Sequence, residues 1–455
     1  MKRKHDSRRG LRREGVVIAL VALSLVAIMG VVAIAIDGGV LLNRRRDMQS
    51  AADAAAMAAA CVLYSEFPQK QGVDSSNNAK YAAFVTALQN GYSHEGGRST
   101  VTVNIPPLSG PYAGKASYAE VIITYAEPRY FSRTMGTDAT NITARAVARG
   151  AWTSNGIGVL VLDYEGKAAL NSQGNGSFTE SGGSVIVNSN HSSAVVDSGN
   201  GIMRADRFFI TGNATVNGGG AEMETYPIPG QIFVGVHPTP DPLAYLPVPA
   251  VPPNGTRTVT NIGQGNKRYV LSPGRHTNLP NFNTGDEVVL QQASANENGG
   301  IYYIDGGGFK STGAKVTMDP NTTGGVMIYN DPASNSLSEK IKITGNSAGK
   351  VDLKPLTSGP YSGMMIWQDR TSSVSAEVAG NGDFSIKGSF YFASALLSVT
   401  GNGGTFSGDD GTIVQGSRIG SQFIVKDLSI AGNGNIYLKY KDAPAVPARI
   451  LALVE

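Results

Sequence analysis

From Gly15 to Ile36 the chain runs for 22 residues without a charge, mostly in Val, Ala, Ile and Leu, and no polar face interrupts the run. At 1.5 Å per residue an α-helix of that length crosses a hydrocarbon core of roughly 30 Å. Gly15 and Ile36 therefore bound an expected transmembrane helix, and Asp37 ends it. Residues 37–64 predict more helix, because eight of the ten positions from Ala51 to Ala60 are alanine, the best helix former. Alanine buries little area but lets elements approach closely. This stretch either meets a partner helix through Ala51, Ala52, Asp53, Ala54, Ala55 and Ala56, or covers its own domain.

The periodicity then changes. Residues 65–150 read as a small α+β unit. Tyr81, Phe84, Val85 and Leu88 fall at helical spacing before Gly91, and 99–105, 116–126 and 139–148 alternate as strands. Tyr130 and Phe131 are expected as core anchors. After Trp152 short β runs alternate with Gly/Asn/Ser turns, and a Gly-Asn unit recurs around Asn175, Asn213, Asn346, Asn381, Asn402 and Asn433. The later asparagines lie 35, 21 and 31 residues apart. A β-helix repeats at roughly 20–25 residues with insertions at its corners. Gly and Asn tolerate the left-handed angles that sharp corners use, and stacked asparagines exchange amide hydrogen bonds. Residues 155–440 thus predict a mainly-β, right-handed parallel β-helix, a β-solenoid of pectin-lyase-like texture. A pair of β-sandwich domains is the alternative, although it calls for more hairpin signals. Nine prolines between Tyr226 and Asn254 exclude central strands there, so 226–254 is an excursion along the solenoid or a linker that splits it. The apolar 441–455 segment is expected as a terminal cap or tail.

Charge sets the orientation. The first thirteen residues, within the 1–14 arm, carry seven cations and one acid, whereas Arg44, Arg45 and Arg46 follow the span. That bias places the amino terminus in the cytoplasm and the bulk outside it. A cleaved signal peptide shares the cationic start, but its apolar core is typically about 7–15 residues and a small-residue cleavage site follows it. An uncleaved inner-membrane anchor in contact with lipid is the expectation. The net charge of +3 misleads, since the chain beyond the first thirteen residues is about −3; no nucleic-acid partner is implied.

Chemistry is sparse. Cys61 is the single cysteine, which excludes an intrachain disulfide and any cysteine-based metal cluster. It reads as a small packing residue or as a thiol that crosslinks copies. Asp409-Asp410 sits in a Gly-flanked turn with no accompanying His or Arg/Lys motif, so a solvated turn is expected rather than a catalytic pair. Gly380-Asn381-Gly382-Asp383 resembles a calcium repeat only in one unit. We expect no enzyme activity, no cofactor and no metal.

Three blocks in order carry a family resemblance. Arg12-Arg13-Glu14-Gly15 ends the basic arm, Ala35-Ile36-Asp37-Gly38-Gly39 closes the apolar span, and Leu42 leads through Arg45-Arg46 and Gln49 into Ala51-Ala52-Asp53-Ala54-Ala55-Ala56. With the 116–148 segment, these resemble the amino-terminal domain of TadE/TadG-like proteins of the Flp (tight adherence) pilus-assembly system, over about residues 8–150. Cleavage after Gly10 would put Glu14 at mature position four, where pilin-like members carry Glu at five. The resemblance therefore implies an uncleaved, TadG-like component with other pilus-assembly proteins as partners and the solenoid as spacer or adhesive surface. The alternative is a tethered protein that binds or cleaves a surface polysaccharide.

Overall fold

The computed structural model describes residues 14–455 apart from 95, 132, 134–137, 154–155, 293–299, 348, 409, 441–444 and 447. The basic arm and Asp409 thus lie outside the described residues. The chain forms two compact units: Met1–Trp152 with Arg449–Glu455, and Thr153–Ala448.

In the first unit the apolar run and the Ala-rich run are one continuous 52-residue helix, Glu14–Ser65. The helix passes Asp37 without a break, as the reading of 37–64 as further helix expects. Gly38 and Gly39 cost roughly 1 kcal/mol each in helix propensity, but no proline interrupts the ladder. A second helix, Asn78–Gln89, follows. Strands Ser99–Asn104, Tyr118–Glu127 and Thr140–Thr153 then form an antiparallel meander. Alternation puts Val101 and Val103 inside with Thr100 and Thr102 outside. A fourth strand, Ala448–Leu453, joins this sheet beside Thr140–Thr153. The carboxyl-terminal segment therefore differs from the expected cap. Val147 N–H donates to the Glu455 carbonyl at 2.8 Å, and Val454 N–H donates to the Val147 carbonyl at 2.8 Å. An unfilled sheet edge was the stronger attraction for its backbone.

The second unit is β-rich, with a seventeen-stranded and a thirteen-stranded sheet and no closed barrel. Among the described residues of this unit pairing is parallel except for two hairpins, Arg257–Gly263 with Asn266–Leu271 and Thr405–Ser407 with Ile413–Gln415. Antiparallel β-sandwiches are therefore not what forms. Inward positions fill one long apolar core that includes Phe178, Phe208, Phe282, Phe309, Phe384, Phe390 and Phe423.

Strand order differs from chain order in an informative way. The first strands, Ile157–Val161 and Leu170–Ser172, pair with Gln422–Gly432 near the end of the unit. The chain thus enters mid-stack and runs to one edge at Ile232–Val234. It resumes at the other edge with Arg257–Gly263 and returns to close against its own beginning. The proline-rich segment bridges those edges. It supplies only the edge strand Ile232–Val234, as proline requires, and it lies within one compact unit rather than splitting two.

Candidate functional site

The first helix presents two different surfaces. From Val17 to Ile36 its exposed large apolar side chains are 41–71 % accessible. Among the described residues this is the one helix long and apolar enough to cross a membrane. Asp37, at the end of the run, is 9 % accessible, and its Oδ1 accepts the Phe131 N–H at 3.1 Å. Arg44 Nε donates to Glu127 Oε2 at 2.7 Å, with the guanidinium 5.0 Å over the Tyr125 ring. Of the three arginines beyond the span, Arg44 is consumed within the unit and Arg45 and Arg46 are exposed.

The Ala-rich half faces inward. Ala51, Ala52, Ala55 and Ala56 are buried against Ala79, Ala83 and Ala87 of the second helix and against Ala119, Val121, Ala144 and Ala146 of the sheet. Ala54 and Asp53 lie half-buried beside them. Gln49 bridges Asp53 Oδ1 at 2.7 Å and the Arg145 carbonyl at 2.9 Å. A Cβ added at Gly150 would stand 1.9 Å from the Ala60 carbonyl oxygen, so the sheet touches helix backbone. Of the two readings of Ala51–Ala56, a partner helix or its own domain, the face lies against its own domain, where the smooth surface is spent on the core. Two expectations fail here. Tyr130 and Phe131 are exposed rather than core anchors, and Cys61 is exposed rather than packed.

A charged network ties the tail to this sheet. Fully buried Glu120 accepts from Arg145 Nε at 2.7 Å, Ser109 Oγ at 2.6 Å, Asn104 Nδ2 at 2.7 Å and Leu108 N–H at 3.1 Å. Burial pushes its carboxyl up, but those donors together outweigh burial and hold it at about 2. Arg145 Nη1 also meets Glu455 at 2.6 Å.

In the second unit the Gly-Asn repeats mark a corner where backbones stack in contact. A Cβ at Gly174 would lie 2.2 Å from the Gly432 oxygen, at Gly199 2.1 Å from the Gly174 oxygen, and at Gly432 2.0 Å from the Gly401 oxygen. Asn175 donates to Asn433 at 3.0 Å and Asn200 donates to Asn175 at 2.8 Å, a three-rung amide ladder. Asn200, which the sequence reading missed, was signalled by Gly199-Asn200-Gly201. Asn213 instead folds onto its own turn, accepting from Ala214 N–H at 2.8 Å. Asn346 reaches Thr284 Oγ1 at 3.5 Å, and the Asn381 and Asn402 backbones join the corner through Gly345 and Gly380. None of the six asparagines takes a positive φ; Gly174, Gly382, Gly403 and Gly432 do, so glycine carries the left-handed angle.

Titratable groups are scattered. Glu180 is 2 % accessible beneath Gly158 and Gly183, and burial followed by the nearby Asp206 raises its carboxyl to about 8. Burial and the adjacent Asp163 raise Asp427 to about 6. Asp410 accepts from Thr412 N–H at 3.0 Å and Thr412 Oγ1 at 2.7 Å, bonds that lower its carboxyl. A row of aromatics, Tyr303, Tyr329, Trp367 and Tyr391, has ring centroids 5.0–5.6 Å apart. It is sealed by the proline-rich segment, whose Leu243 and Leu246 are buried and whose carbonyls take both bonds from Arg370 Nη2, at 2.8 and 2.9 Å. Among the described residues no group of three or more His, Cys, Asp or Glu is arranged to hold a metal ion.

The best-defined surface is thus the first helix. Residues 15–62 match the family described as putative Flp pilus-assembly TadE/G-like. This segment is TadE/G-like. It spans both the exposed apolar half of the helix and most of the Ala-rich half. No curated protein and no solved structure matches the chain.

Proposed function

We propose that the chain is a non-enzymatic, TadG-like component of a Flp pilus-assembly apparatus. Residues 15–36 span the inner membrane with the amino terminus in the cytoplasm. The second unit winds as a right-handed β-solenoid outside the membrane and serves as spacer or adhesive surface. The observation that carries this reading is the coincidence of the TadE/G-like match with a helix whose apolar half is exposed and whose Ala-rich half is sealed into a domain. Apart from the closure of the unit's beginning on its end, parallel pairing at separations of 19–38 residues, such as Ser417 with Ile436 and Ile328 with Ile366, supports a winding chain. The stacked glycine corner supports it further. The non-enzymatic part is supported by the sealed aromatic row and by Asp410, whose carboxylate its own turn engages.

The test is affinity purification of the full chain from gently solubilised membranes, with mass spectrometry of what accompanies it. Recovery of a pilus ATPase, platform protein or pilin is the expected result. A preparation free of all three would sink the assignment.

A further inference from the structure

The sheet of the first unit ends, on one side, at Glu127 and Thr140, and the chain between them begins Pro128-Arg129-Tyr130-Phe131. That segment is fixed at a defined height on the first helix. The Phe131 N–H binds Asp37, the first charge after the apolar run, at 3.1 Å. The Tyr130 hydroxyl reaches Glu127 at 3.4 Å. Both rings nevertheless point away from the core, at 54 % and 57 % accessible. Behind them a cleft of about 280 Å³ is walled by Ile34, Val40, Leu41 and Pro128. Arg129 lines it, and its Nε is buried with no partner among the described residues. The two carboxylates of the cleft are already engaged, Glu127 by Arg44 and Asp37 by Phe131.

We propose that residues 128–131 form a docking surface for the lipid headgroup layer, with Tyr130 and Phe131 seated in the interface and Arg129 taking a lipid phosphate. The inference rests on the reading of residues 15–36 as a membrane span. A span of 22 residues is about 33 Å long, so Asp37 stands at the rim of the hydrocarbon core. Whatever binds Asp37 shares its depth. Aromatic side chains with an apolar body and a polar edge concentrate at that depth, and a guanidinium matches a phosphate there. Arg129, half-buried at the cleft, supplies the charge complement: a guanidinium beside apolar walls that fit acyl chains has lipid phosphate oxygens as its nearest plentiful acceptors. The segment thus steadies the unit on the membrane surface through a second contact besides the span.

The experiment uses the full chain in vesicles of phosphatidylcholine and phosphatidylglycerol. Phe131→Trp is measured against bromine-labelled lipids and aqueous iodide, with the signal of Trp152 and Trp367 subtracted by a wild-type control. Val26→Trp reports the span in the same vesicles. The proposal expects lipid quenching and iodide protection at both positions. Quenching at position 26 with iodide access, or with protection from both quenchers, at position 131 overturns the docking surface and leaves the span intact. No lipid quenching at position 26 overturns the anchor reading itself. For the phosphate, phosphatidylglycerol retained by detergent-purified protein is counted by native mass spectrometry. Arg129→Gln is expected to lower the preference for the anionic lipid about fivefold, from ~1 kcal/mol per cation near a charged surface, and Arg129→Lys to restore part of it. Equal retention by Arg129→Gln and wild type would remove the phosphate contact from the proposal.

Discussion

The two halves of the first helix are both apolar and meet opposite surroundings. Between Val17 and Ile36 the side chains are large and exposed, whereas at Ala51, Ala52, Ala55 and Ala56 they are small and at most 2 % accessible. The contrast shows that apolar content alone does not say where a helix face goes. Side-chain size does: bulky residues give a wide apolar surface suited to lipid, and alanines let backbone approach backbone, as at Ala60 and Gly150. One uninterrupted helix thereby joins an exposed apolar segment to a packed domain without a hinge in its hydrogen-bond ladder.

Four substitutions test that contrast. The largest effect is expected from Val26→Arg, which puts a charge in mid-span at a cost of about 2.5–3.5 kcal/mol. The fraction of protein resistant to carbonate extraction should fall, and an unchanged fraction would break the contrast at its lipid half. Next, Ala56→Leu should overpack the buried face and destabilise the first unit by about 1–3 kcal/mol in denaturant unfolding. The same change at exposed Ala27 should be near neutral, and equal effects at the two sites would contradict the account.

A third test contrasts the two units by pH. Glu120 is held at about 2, below the ordinary carboxyl value of 4.5. Its contribution is therefore present above about 4.5 and is lost as pH falls toward about 2. Glu180 is raised from 4.5 to about 8, so its unfolded state ionises first and stability falls as pH rises across that window. Glu180→Gln should accordingly stabilise the second unit at pH 8, on the order of 1–2 kcal/mol, and do little at pH 4. Hydrogen exchange followed unit by unit across pH separates the two signs. Smallest is Asn175→Ala, which removes two ladder bonds and should cost about 0.5–1.5 kcal/mol, seen as a modest fall in Tm.

Much of this was legible where one physical signal ruled. The uncharged run announced an apolar helix, and alternation in Ser99–Asn104 announced a strand. The Gly-Asn units pointed to stacked corners, which form, although glycine and not asparagine takes the left-handed angle. What stayed hidden depends on contacts far apart in sequence. Nothing local marks Val454 as belonging beside Val147, because an open sheet edge recruits it. Tyr130 and Phe131 look like core residues until the strand ends place them beside Asp37. The Ala face was ambiguous because alanine suits a partner and its own sheet equally, and only three-dimensional proximity decides. Glu180 resembles an exposed carboxylate in an alternating strand until Gly158 and Gly183 close over it.

In a helix-anchored chain oriented as proposed, the β-rich unit lies outside the cytoplasm. The most direct test of that placement is labelling of intact cells with a membrane-impermeant maleimide, using Ser198→Cys in a Cys61→Ser background. Labelling before any permeabilisation of the inner membrane is the result the account predicts. Labelling only after that membrane is breached would place the unit in the cytoplasm and contradict it.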